Sequence, residues 1–145
     1  MSKAEPQSFK NHARFDPPFH FFLLIVLAAN LIIVIVNLVR HPSLTSVWFL
    51  VLSVAAILAL LKLRLYALKV QDRVIRFEER LRLKALSPPE WHNQIDRLSE
   101  DQLIGLRFAS DDEIVPLAKQ ALEQNLNRKQ IKERVNNWRP DHWRV

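Results

Sequence analysis

The stretch FHFFLLIVLAANLIIVIVNLVRHPSLTSVWFLVLSVAAILALL, residues 19–61, decides the fold. It carries one charged residue, Arg40, beside the short break RHPS at residues 40–43. Residues 17–39 and 41–61 contain no Asp, Glu, Lys or Arg. Each block reaches the roughly 20 apolar residues needed to cross about 30 Å of hydrocarbon. A secretory signal has a shorter apolar core, about 7 to 15 residues, and a small-residue cleavage site, which is missing here. The stretch therefore predicts two transmembrane helices.

A break of four residues suits antiparallel neighbours and leaves no room for a domain between them. The helices are expected to form a hairpin, with the ring cluster Phe19, His20, Phe21 and Phe22 at one membrane surface and Trp48 and Phe49 near the turn. Ser53, Ala55, Ala56 and Ala59 are small residues over which a partner helix can approach. Asn30 and Asn37, seven apart on one face of the first helix, are expected to hydrogen-bond to a neighbouring helix. No ionisable residue lies within either span, which argues against a substrate path.

Beyond the hairpin, residues 62–86 contain no helix breaker, so the second helix should run on until Ser87, Pro88 and Pro89 stop it. Leu63, Tyr66, Val70, Val74, Phe77 and Leu81 recur at spacings of three and four, an apolar stripe that needs a partner helix. Asp72 with Arg76 and Glu78 with Arg82 are placed for surface ion pairs one turn apart. This extension is strongly basic. Lys62, Arg64, Lys69, Arg73, Arg76, Arg80, Arg82 and Lys84 face Asp72, Glu78 and Glu79 alone. Basic residues cluster at the cytoplasmic ends of spans, so both termini are expected in the cytoplasm and the chain in the inner membrane. Lys62, Arg64, Lys69 and Arg73 are the candidates for contact with anionic lipid headgroups, a reading preferred to nucleic-acid binding.

Residues 87–145 predict a region of short helices. Ser99 with Gln102, and Ser110 with Glu113, each match a capping box ahead of apolar positions. Ile131, Val135 and Trp138 suggest a last helix, and Pro116 a bend in the one before. No stretch alternates as a strand does, so the expected fold is all α: a tail over residues 1–18, a hairpin over 19–61, the basic extension over 62–86 and the short-helix region.

Several chemistries are excluded or disfavoured by composition. The chain has no cysteine, hence no disulfide, thiolate metal site or cysteine nucleophile, and its single glycine, Gly105, rules out glycine-rich phosphate loops. His12, His20, His41, His92 and His142 are scattered. His20 is a candidate haem ligand only if two copies meet, because the second helix offers no histidine; an interfacial ring is the simpler reading and no cofactor is expected. The acidic group Asp111, Asp112 and Glu113 fits a helix start better than a cation site. Trp91, Trp138 and Trp143 suit either a small core or a docking surface. For an enzyme the candidates are Asp111, His92 and His142, which show no recognised spacing.

The segments FKNH at residues 9–12, ALKVQDRVIRFEERLRL at 67–83, QLIGLRFASDDE at 102–113 and WRPDHWRV at 138–145 resemble a small bacterial family of two-span membrane proteins of unknown function. The resemblance implies the two-span architecture and carries no activity, cofactor or catalytic residue. The expectation is thus a non-enzymatic membrane subunit or scaffold, pairing through the stripe with a second copy or a larger membrane complex. An anionic-lipid-responsive anchor is the alternative, and a haem-binding or other electron-transport accessory subunit the third.

Overall fold

The computed structural model describes residues 8–9 and 16–140. Of the expected features, the bulk of the N-terminal tail, His12, His142 and Trp143 lie outside the described residues. The chain divides into two compact units, with the boundary inside one long helix between Lys69 and Val70.

In the first unit, Pro17 and Pro18 lack amide hydrogens and suit a helix start. Asp16 supplies the missing caps. Its carboxylate accepts from the Phe19 amide at 3.4 Å, and its carbonyl accepts from the His20 amide at 3.0 Å. A π-helical turn, Pro18–Leu23, leads into α1, Leu24–Arg40. Together they form a helix of 23 residues, about 34 Å of rise, enough to cross a bilayer.

The break at His41 is secured by serines. Ser43 and Ser46 exchange amide-to-hydroxyl bonds at 2.9 and 3.1 Å, and the Ser46 hydroxyl lies 2.9 Å from the His41 carbonyl, to which it donates. Helix α2, Leu44–Leu86, then runs without interruption for 43 residues. It is the second helix long and apolar enough to span a membrane.

Burial, full at Ser46 and Ser53 and partial elsewhere, marks where the hairpin faces meet: Leu24, Leu27, Leu31, Val34 and Leu38 of α1, against Ser46, Leu50, Ser53, Ile57, Leu60 and Arg64 of α2. Ala55, Ala56 and Ala59 are exposed, so within the hairpin only Ser53 of the expected small residues is used. Where almost every residue is apolar, small size alone does not say which side turns inward.

The second unit begins with residues 70–86 of α2. A 3₁₀ turn, Pro89–Trp91, follows, then α3 (His92–Ile95), α4 (Glu100–Leu106), α5 (Asp111–Glu123) and α6 (Arg128–Arg134). Pro88 is extended, which ends α2 where its sequence predicts. Ile95, Leu98, Leu103, Leu106, Ile114, Ala118, Ala121 and Ile131 form the core with Leu83 of α2. The fold is all α: among the described residues there is no strand, only an isolated antiparallel bridge between Ala109 and Trp138.

Two capping boxes form, at Ser99 with Gln102 and at Asn127 with Gln130. Gln102 also donates to the Ala121 and Leu126 carbonyls at 2.9 and 3.2 Å, tying α4 to the end of α5. The box expected at Ser110 is absent. The Glu113 carboxylate instead accepts the Asn136 and Asn137 amides at 3.2 and 3.1 Å, a gain of two charge-assisted bonds over one local contact. Helix α6 ends at Arg134, where Val135 turns extended and leads into the bend at Asn136 and Asn137 that these bonds hold. Val135 and Trp138 therefore lie beyond the helix the sequence suggested, and Trp138 packs on Phe108 with ring centroids 4.9 Å apart. Gly105 is where α4 meets α6. A Cβ there would lie 3.2 Å from the Ile131 side chain and 3.3 Å from the Arg128 carbonyl oxygen.

Candidate interaction surface

In the second unit, α2 presents two opposite faces. The inner one is Ile75, Glu79 and Leu83, all buried, with Leu83 packed in the core of the short helices. Glu79 is 4% exposed, and burial pushes its carboxyl above the ordinary range, opposed mainly by Arg82. Arg82 donates to Glu79 at 3.0 Å, to the Asp111 carboxylate at 2.7 Å and to the Ala109 carbonyl at 2.7 Å. Arg139 approaches Glu79 at 3.7 Å.

The two ion pairs expected within α2 do not form. Arg76 pairs with Glu100, Asp72 lies 4.0 Å from Arg128, and Arg82 turns to Glu79 and Asp111. Pairing between elements wins because exposed pairs one turn apart contribute only about 0.2 to 0.5 kcal/mol, and an inward arginine must find several acceptors. Glu78 is left exposed, without an ion pair among the described residues.

The outer face of α2 is the apolar stripe. Val70, Val74, Phe77 and Leu81 are 63, 49, 64 and 53% exposed, although the opposite face of the same helix is fully used. On the hairpin side of the unit boundary, Leu63 and Tyr66 are likewise exposed. Single exposed apolar residues are ordinary; a row along one helix face is a candidate interaction surface.

The four basic candidates separate into two groups. Arg64 belongs to the hairpin, with its guanidinium 5.3 Å from the centre of the Phe19 ring and 3.6 Å from Asp16. Lys62, Lys69 and Arg73 are exposed, with no ion pair among the described residues.

Asn30 donates to the Ser53 hydroxyl at 2.9 Å, and Ser53 passes a bond on to the Phe49 carbonyl at 2.8 Å. Asn37 is exposed and lines a shallow groove with Ile33, Val36, Arg40 and His41. The two amides thus differ in their surroundings despite sharing a face.

The His20 ring Nδ1 lies 2.8 Å from the Asp16 carbonyl oxygen and donates to it; the ring stands edge-on to Phe19 at 5.0 Å. His92 lies 3.2 Å from the Ser87 carbonyl oxygen, across the turn after α2. Asp111 is the outer anchor of Arg82. Among the described residues no three His, Asp or Glu side chains gather as a metal site. Trp91 packs on the core, with the Lys119 ammonium 6.0 Å from its ring centre.

Sequence spacing placed the stripe on one face but missed the pairing of Arg82 with Glu79, whose signal was a Glu79–Leu83 spacing that continues the Ile75 row on the far side of the helix.

These features define an all-α chain with two helices of membrane-spanning length and an exposed helical face. The whole chain, residues 1–145, matches the model of a family of unknown function (DUF6526), and the chain belongs to that family. No curated protein and no solved structure matches it.

Proposed function

We propose that the chain is a non-enzymatic membrane subunit or scaffold, anchored by its hairpin in the inner membrane and docking a partner helix through the outer face of α2. The observation that carries this reading is the exposed row Val70, Val74, Phe77 and Leu81 on a helix whose opposite face is already buried. The basic residues of 62–84 outnumber Arg40 of the turn, which favours a cytoplasmic location for the extension and for the start of α1.

The test is co-purification of the tagged full-length protein from its own membranes in mild detergent, beside the variant Val74→Glu with Phe77→Glu. The variant loses its stoichiometric companion chain, of whatever identity, while retaining helical content. Companions unchanged by both substitutions contradict the proposal.

A second reading rests on Lys62, Lys69 and Arg73, exposed and without an ion pair among the described residues: the start of the extension binds anionic headgroups, at about 1 kcal/mol per basic residue near the surface. Lipid co-purifying with wild type and with Lys69→Gln, Arg73→Gln separates the two. This reading requires anionic lipid to fall in the variant; equal lipid content argues against it.

A further inference from the structure

We infer that the partner seated on the outer face of α2 is a second copy of this chain, paired in parallel around a two-fold axis. The inference rests on the docking role proposed above and identifies its occupant.

Within the extension the stripe keeps the spacing of a coiled-coil seam: Val70 and Phe77 are seven apart, as are Val74 and Leu81, and the series steps by four, three and four. A seam of that period winds against a second helix with a slight left-handed coil.

Charge decides between a second copy and an unrelated helix. On one side of the stripe stands Arg73 and on the other Glu78, both exposed and without an ion pair among the described residues. Five residues apart, they occupy flanking positions that meet across a parallel pair. Two copies in one bilayer with the same orientation must present α2 in parallel. A two-fold axis along the stripe then brings Arg73 of each copy to Glu78 of the other, so the surface complements itself twice. About three turns of apolar contact, residues 70–81, are marginal for a soluble pair, but confinement to one membrane raises the effective concentration.

Absence of cysteine makes the full-length protein suitable for single-cysteine cross-linking in its own membranes. Phe77→Cys and Val70→Cys should each form a disulfide-linked dimer on oxidation, while Lys69→Cys, off the stripe, should form severalfold less. Arg73→Glu should lower the Phe77→Cys product severalfold, and adding Glu78→Arg should restore it. If both stripe cysteines stay monomeric, or the reversed pair fails to restore cross-linking, the second copy is overturned. In that case a different companion still lost from Val74→Glu, Phe77→Glu leaves the docking role standing, and no such companion removes both.

Discussion

The Arg82 guanidinium donates to the Asp111 carboxylate at 2.7 Å, joining α2 to the first residue of α5. Arg82 also satisfies buried Glu79, so one side chain fastens the inner face of α2 to the short helices. Removing one partner of a buried pair costs about 3 to 5 kcal/mol, because the other charge is left without compensation. Arg82→Ala is expected to lose about 3 kcal/mol, roughly a hundredfold faster hydrogen exchange for α5 amides that exchange through opening of this unit. Asp111→Asn, at an exposed carboxylate, should lose no more than about 1 kcal/mol. Exchange read peptide by peptide on the full-length protein checks both.

Glu79 gives the short-helix unit a pH dependence of defined sign. Burial raises its folded-state pKa above the ordinary 4.5, so the folded chain holds the proton more tightly than the unfolded one. Ionising it opposes the fold: the cost is absent below the unfolded pKa, grows as pH rises and is complete above the folded pKa. Wild-type stability measured relative to Glu79→Gln should therefore fall as pH is raised from about 4 to 7. A difference that is flat, or rises, would show that Arg82 and Arg139 outweigh the burial.

The Asn30 to Ser53 bond predicts a modest effect within the hairpin. Such bonds average about 0.6 kcal/mol in membranes, so Asn30→Leu and Ser53→Ala should each weaken hairpin packing by about that amount, and their combination by no more. Asn37→Leu should leave it unchanged. Unfolding of the full-length protein in mixed micelles, followed by a reporter on α1, gives the cycle.

Sequence made the two long apolar helices legible because their charge-free runs are bounded by clear breaks, and it located the end of α2 because Pro88 and Pro89 cannot continue a helix. It also placed Val70, Val74, Phe77 and Leu81 on one exposed face, since spacings of three and four align residues wherever polar neighbours supply contrast. Within the hairpin that contrast is missing. The alanines therefore gave no sign of facing away from α1, and Asn37 none of having different surroundings from Asn30. Charged partners were the least legible: Arg76 and Glu113 gave up a local pairing for partners distant in sequence, and Arg82 left Glu78 for Glu79 on the same helix together with the distant Asp111 and Ala109, which only tertiary structure brings to it.

The central claim is that the outer face of α2 is covered in the working protein. The most direct measurement is the protein mass of the full-length particle in mild detergent, by light scattering with detergent and lipid subtracted, for wild type and for Val74→Glu with Phe77→Glu. A wild-type mass above one chain that falls to one folded chain in the variant is the predicted result. A wild-type particle of one chain, or an equal mass for both proteins, would contradict it.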